Sequence, residues 1–420
     1  MKNLALVIAG MLMLAGSTAA MSATKEITAT FSPSMANPQN NSFKNTTPQS
    51  GYCRDVPSQC VNTFSIDMGG ITASLSTSGF KANSTARMGM FFKMPGAWRN
   101  VNVTHQGTGA RSTVRLRFSA FSARYLTRTI WNMTTHQAAW SGTSFVNPPL
   151  PCVYSGMGFL GARHYRFMWK WPANNAACVK TAKRDLTGEP YLIDTTSVGY
   201  ELITPEPLKM ESGIYTGTLS LRVGPGGEID FGDNMRASDT ELRINLSLSV
   251  NHELKLTTTA SDQRVALQPC ASGRICSEGE GSYNWERWMV TRITPEMTGR
   301  SQFRLSSSGA FTVYLQCEQQ SGPDCALKSD NTPSQRVPVK AFLSLPDNIV
   351  DNSTASTVSK RRLTVGRELT KNVFMTKVFG QNKTGSIDFL VGQKDVDTML
   401  KTRPDTYRGA ITVIFDPKIF

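Results

Sequence analysis

Asp405-Thr-Tyr407-Arg-Gly409-Ala-Ile411-Thr-Val413-Ile-Phe415 is the stretch whose reading decides the fold. A Tyr and a Gly stand at its entrance, and the β-branched, apolar run that follows suits a pleated, half-buried surface. An earlier passage, Ser212-Gly-Ile-Tyr215-Thr-Gly217-Thr-Leu-Ser-Leu221, carries the same Tyr-x-Gly and the same alternation. It leads through a glycine-rich connection, Gly224 to Gly232, into another alternating run, Leu242 to Val250, whereas five residues follow the second copy. The pattern predicts an all-β chain of two immunoglobulin-like β-sandwich domains, each closing on a Tyr-x-Gly strand, the C-terminal one lacking its last strand.

A last strand would bring four or five apolar side chains to the core, each contributing roughly 1.5–3 kcal/mol. The deficit, about 6–15 kcal/mol, is comparable to the whole stability of a domain. Its absence also leaves a row of unpaired N–H and C=O groups that can template another chain. Tyr407, Ile411, Val413 and Phe415 are expected to flank the resulting groove, and a strand donated by a partner would fill it. The open alternative is that an earlier strand of the same chain occupies the place.

The N-terminus reads as a secretory signal peptide over 1–23, with Lys2, an apolar run Leu4 to Leu14, and small residues at Ala19, Ala20 and Ala23. Export makes disulfides the expected state of the eight cysteines. They fall into near neighbours, and sequential pairing is expected: Cys53 with Cys60, Cys152 with Cys178, Cys270 with Cys276, and Cys317 with Cys325. Domain boundaries are expected at 24–256 and 257–420. In the second domain the short strands expected from pattern include Arg264–Gln268, Arg287–Ile293, Ala310–Leu315, Pro338–Leu345 and Thr406–Phe415.

Charge is distributed unevenly. From Met68 to Arg184 there is no Asp or Glu in 117 residues, against fifteen Lys and Arg. Aromatic residues interleave with them, among them Trp98, Phe118, Tyr125 and Trp169. Opposite charge must come from elsewhere in the fold or from a ligand, and a positive, aromatic-lined surface suits an acidic glycan or an anionic membrane. The alternative is a solvated basic face over an aromatic core. Export argues against nucleic acid as a partner. In Val114-Arg-Leu-Arg-Phe118 the alternation places Arg115 and Arg117 on one face.

The sequence carries no catalytic motif. Gly156-Met-Gly-Phe-Leu-Gly161 matches G-x-G-x-x-G but lacks the strand-then-helix context and reads as a glycine-rich turn. The four histidines, His105, His136, His164 and His252, have no metal-site spacing. No enzyme activity, catalytic residue, metal or cofactor is expected.

The two Tyr-x-Gly strands, the completing run Leu242 to Val250 and the bare second copy together resemble the tip adhesins of the alternate chaperone–usher pathway. These are the initiator minor pilins of colonization-factor and cable-pilus fimbriae. The resemblance spans most of the chain after residue 23 and implies an N-terminal adhesin domain joined to a C-terminal pilin domain completed by a donor strand. It further implies a periplasmic pilus chaperone, an outer-membrane usher, a major pilin subunit and a host-cell glycan as partners, with the subunit at the fimbrial tip on the bacterial surface. Thr85-Ala-Arg87-Met-Gly-Met-Phe-Phe92 resembles the family's Arg-Met opening of a short apolar strand, and Arg222 stands where the family has basic residues after the first Tyr-x-Gly strand. Both positions then imply receptor-binding arginines, because a guanidinium forms a bidentate pair with a carboxylate. Arg117 joins them from strand alternation alone. The sequence departs from the family in having a single Arg222 rather than a basic pair. The segment Lys25 to Phe31 also resembles a pilin donor strand, and is read here as the first strand of the adhesin domain.

Overall fold

The computed structural model describes residues 22–34, 36–60, 63–76, 79–142, 144–188 and 190–417. Residues 1–21, which hold most of the expected signal peptide, lie outside the described residues.

The first half of the chain is built from β1 (Ser22–Phe31), β2 (Met90–Lys93), β3 (Arg99–His105) and β4 (Arg111–Leu126). They are followed by α1 (Met133–Ala139), β5 (His164–Lys170), β6 (Leu192–Ile203), β7 (Gly213–Arg222) and β8 (Glu241–Val250). The main sheet runs β6–β4–β3–β7–β8–β1, and β5 also pairs with β4. Period-two patterning sets the faces. In β4, Val114, Leu116 and Phe118 point inward; in β8, Leu242, Ile244, Leu246, Leu248 and Val250 are all fully buried. β1 lies parallel to β8 with Ile27 opposite Leu246, so the N-terminal strand belongs to this sheet, as its sequence led us to expect. The aromatic residues of the basic stretch fill the core: Tyr125, Trp140, Phe145, Tyr165 and Trp169 pack together, ring centroids 4.7–6.4 Å apart.

The second half has its own core. Its elements are β9 (Leu254–Thr257), α2 (Glu278–Thr291), β10 (Glu296–Ser307), β11 (Ala310–Cys317), β12 (Asp324–Ser329) and β13 (Arg336–Ser344). They continue with β14 (Phe374–Thr376), β15 (Gly380–Val391), α3 (Gln393–Leu400) and β16 (Ile411–Asp416). One sheet runs β9–β10–β15–β13–β12; the other runs Ile349–Asp351, β14, β11, β16. Val337, Val339, Ala341 and Leu343 from the first share a buried core with Phe311, Val313 and Leu315 from the second, which makes a sandwich. The chain crosses between the two halves at Asn251–Glu253, because Leu256 already pairs with Leu305 of β10, a few residues upstream of the boundary expected from sequence.

Three strand expectations are corrected. Arg287–Ile293 is not a strand: Glu278–Thr291 is helix α2, started by a capping box in which the Ser277 hydroxyl accepts the Glu280 N–H and the Glu280 carboxylate accepts the Ser277 N–H. Arg264–Gln268 contributes only Gln268 to a strand, Gln268–Cys270, which pairs with β10. Thr406–Phe415 is divided: Tyr407–Arg408 pairs with β12 in one sheet and β16 pairs with β11 in the other, so Gly409–Ala410 carries the chain across the sandwich.

All eight cysteines are paired, and the pairing is sequential as expected. Cys53 is bonded to Cys60, with Cα atoms 5.4 Å apart, and closes the short helical turn after Gly51. Cys152 is bonded to Cys178 at a Cα separation of 6.0 Å, which fastens the loop after α1 to the strand Ala177–Lys180 beside β2. Cys270 is bonded to Cys276, with Cα atoms 5.8 Å apart, just ahead of the α2 capping box. Cys317 is bonded to Cys325 and ties β11 to β12 across the two sheets.

Candidate functional site

Two features of the surface stand out: a basic loop on the first half and an apolar groove on the second.

The loop begins where β7 ends at Arg222 and runs through Gly224-Pro-Gly-Gly-Glu228-Ile-Asp230-Phe-Gly232. Its hub is Asp230, whose side chain is 1% exposed. One Asp230 oxygen accepts the Gly226 N–H at 2.8 Å and the other the Gly232 N–H at 2.7 Å. Its backbone pairs with Lys93 at the end of β2, at 2.9 and 3.1 Å. Arg87, on the turn before β2, reaches Asp230 at 3.0 Å and makes a forked pair with Asp233 at 2.7–3.0 Å. These hydrogen bonds from Asp233 and Asp230 raise the Arg87 pKa and hold the guanidinium charged, while the Asp233 carboxyl is pulled below its usual range by Arg87. Gly232 has φ +82°, and a Cβ there would strike the Arg87 carbonyl, so the loop closes on the turn through glycine. Lys93 donates from Nζ to the Gly227 carbonyl at 3.0 Å, and Glu228 lies 3.9 Å from Arg99 and 3.7 Å from Arg222. Burial opposes ionisation of Glu228, but the Arg222 N–H and the two arginine charges hold its pKa down.

The loop therefore gathers four cations, Arg87, Lys93, Arg99 and Arg222, around three carboxylates. Of the three arginines expected to bind a receptor, Arg222 is 77% exposed and loosely paired. Arg87 is fastened to two carboxylates. Arg117 is 13% exposed, bonded to both oxygens of Glu201 at 2.8 and 2.5 Å, and stacked over Trp98 at 5.5 Å. Arg115 stacks over the same Trp98 ring at 5.3 Å, on the shared face that alternation predicts. The carboxylates missing from the basic stretch come from flanking segments: Asp194 takes Arg124, Asp55 takes Arg166, and Asp185 takes Lys81. Local sequence could not reveal these partners, because the pairs span 70, 111 and 104 residues.

The groove lies on the second half. β16 pairs on one side with β11, from Ile411 opposite Cys317 to Asp416 opposite Thr312, and on its other side no strand pairs with it among the described residues. Beside it opens a cavity of about 490 Å³ lined by Val265, Leu267, Trp285, Met297, Met399 and Ile411, among others. Tyr407 also lines it, its hydroxyl 2.8 Å from that of Thr402. Val413 and Phe415 lie further along β16, half-buried against the core, with Phe415 5.2 Å from Phe303 and 5.9 Å from Phe311. Val265 and Leu267 belong to the segment expected as a strand; their alternation instead presents both to the cavity. Trp285 comes from helix α2, which strand-like patterning hides although the Ser277-x-x-Glu280 signature marks its start.

No family model and no curated protein matches the chain. Among solved structures, the chain is similar to a chaperone–tip adhesin complex of CFA/I fimbriae biogenesis, at 10% identity and TM-score 0.24, covering 95% of this chain and 97% of that one. It is similar to CfaE, the adhesive subunit of the CFA/I fimbria of enterotoxigenic Escherichia coli, at 10% identity and TM-score 0.21, covering 94% and 93%. It is also similar to the CsuC–CsuE chaperone–tip adhesion subunit complex of archaic Csu pili from Acinetobacter baumannii, at 12% identity and TM-score 0.19, covering 94% and 98%.

Proposed function

We propose that this protein is a fimbrial tip adhesin. Its second half accepts a donor strand, first from a periplasmic pilus chaperone and then, at an outer-membrane usher, from the next pilin subunit. Its first half binds an acidic host-cell glycan, with Arg222 at the exposed end of the basic loop and Arg87 fixing that loop. The subunit works without enzymatic chemistry or cofactor, exported to the cell surface at the tip of the fibre.

The observation that carries the reading is the edge of β16, unpaired among the described residues, beside an apolar groove. An edge strand is ordinarily blunted by charge, by Pro or by a cover; here Ile411, Val413 and Phe415 line up along it, half-buried. An added strand would hydrogen-bond to β16 and lay alternate apolar side chains over Ile411, Trp285 and Met297. A peptide with alternating apolar residues, titrated into the purified chain, is expected to bind and raise the melting temperature of the second half. A melt that such peptides leave unmoved, in a chain already stable and monomeric by itself, would reject the acceptor role.

A second reading is an initiating minor pilin without receptor binding. It is favoured by the pairing of Arg87 and Arg117 with carboxylates, which leaves Arg222 as the exposed one of the three. Fibres carrying Arg222→Ala separate the two readings: the adhesin loses cell attachment with assembly intact, and the structural pilin loses neither.

A further inference from the structure

On the outer face of the main sheet, polar side chains stand in one row by register across β4, β3, β7 and β8. Thr113 Oγ1 on β4 donates to Asn102 Oδ1 on β3 at 3.2 Å, and Thr218 Oγ1 on β7 donates to Asn245 Oδ1 on β8 at 3.0 Å. β3 and β7 are neighbours, paired at Thr104 and Thr216, and Gly217 lies so close to the Asn102 carbonyl that a Cβ would strike it. Each amide is oriented by its threonine, so that its NH2 group has no protein acceptor among the described residues. At one end of this row stands Trp98, bracketed by Arg115 and Arg117. Arg117 is neutralised by Glu201; Arg115 is exposed, and no carboxylate lies within ion-pairing distance of it among the described residues. Arg243 on β8 is paired with Glu241, and Glu26 on β1 is the nearest other acid of this face by register, opposite Asn245.

We propose that this face is a binding site for a linear acidic glycan, lying across the strands with a carboxylate or sulfate on Arg115 and hydroxyls on the oriented Asn102 and Asn245 amides. Fixed amide donors and hydroxyls satisfy sugar hydroxyls without further ordering cost. A guanidinium braced on an indole is held in place for a charge-assisted, two-point contact with an anion. The site is separate from the Gly224–Gly232 loop and deepens the acidic-glycan reading, on which it rests, by assigning an extended chain rather than a terminal sugar.

The full chain, immobilised, is titrated with a hyaluronan decasaccharide, a heparin decasaccharide and neutral dextran. Both acidic probes are expected to bind, dextran at least tenfold more weakly. Arg115→Glu is expected to weaken acidic binding tenfold or more, and Asn102→Asp several-fold, with melting temperatures unchanged because both residues are exposed. Wild-type affinity in both variants overturns the site. If affinity is retained in them but lost in Arg222→Ala, the loop alone is the receptor site and the adhesin reading stands without this face. Failure of the unmodified chain to bind either acidic probe overturns this face as a site, and a sialylated oligosaccharide that still binds and is lost in Arg222→Ala keeps the loop reading.

Discussion

The two Tyr-x-Gly strands of this chain have the same local sequence pattern and opposite surroundings. β7 is flanked on one side by β3 and on the other by β8, which pairs with it along its whole length from Gly213 opposite Val250 to Arg222 opposite Glu241. Tyr215 is 2% exposed and its hydroxyl accepts the Glu211 N–H at 2.9 Å, pinning the entrance to the strand. In the second half the Tyr407 hydroxyl lies 2.8 Å from that of Thr402, and β16 has one neighbouring strand among the described residues, its apolar residues half-buried. The difference is one strand. The sequence of a strand sets which side chains face inward; whether they become buried depends on what lies beside it.

The largest expected effect comes from closing the open half. A C-terminal extension carrying a turn and a copy of Leu242–Val250, the strand that closes the first half, should stabilise the second by about 6 kcal/mol or more if four apolar residues are buried. Urea unfolding with a probe specific to the second half reads this directly, and an unchanged midpoint would show that β16 does not accept a strand.

Truncation at matched positions sharpens the contrast. Leu246→Ala in fully buried β8 should cost about 3–5 kcal/mol, whereas Val413→Ala in half-buried β16 should cost about 1 kcal/mol, rising once a donor strand is bound. Equal costs without a donor would mean that the second half is already closed.

Acid should reach the first half through a buried histidine. His136 of α1 is buried, its Nδ1 bonded to the Tyr125 hydroxyl and its Nε2 without a hydrogen-bond partner among the described residues. Burial, with the nearby His164 charge, pushes its pKa down to about 4. Between pH 6.5 and about 4 the unfolded chain takes up a proton at this site and the folded chain does not, so the stabilisation is complete above pH 6.5 and lost as pH falls through that window. The loss approaches about 3 kcal/mol at pH 4, one pKa unit being about 1.4 kcal/mol. His136→Gln should flatten this part of the pH profile of the first half and leave the second unchanged.

The smallest effect separates binding from folding. Arg222→Ala removes a side chain that is 77% exposed with its carboxylate at 3.7 Å, and should change stability by less than about 0.5 kcal/mol. Attachment is where its loss should be read; a large drop in melting temperature would make it a structural residue.

Much of this architecture was legible in the chain. Alternation in Val114–Phe118 put Arg115 and Arg117 on one face, where both now cover Trp98, and the close spacing of the cysteines pointed to the four disulfides that form. The repeated Tyr-x-Gly located β7, and in the second half it led to β16 across the sandwich rather than within one strand. What stayed hidden were relations between distant segments. The helix over Glu278–Thr291 follows a legible capping box, yet its β-branched end, Val290-Thr291, reads as a strand. Thr406–Phe415 reads as one strand because nothing local marks Gly409–Ala410 as a crossing from one sheet to the other.

The basic stretch shows where the division falls. By itself the sequence determined that fifteen cations lie together with no acid among them, and which of them share a strand face, because composition and period-two geometry are local properties. Only the tertiary structure decided which charges are spent. Asp230, Asp233, Glu201 and Asp194 arrive from segments 70 to 146 residues away and fasten Arg87, Arg117 and Arg124, while Arg115 stays exposed. Electrostatic pairing depends on distance in space, and chain separation does not predict it.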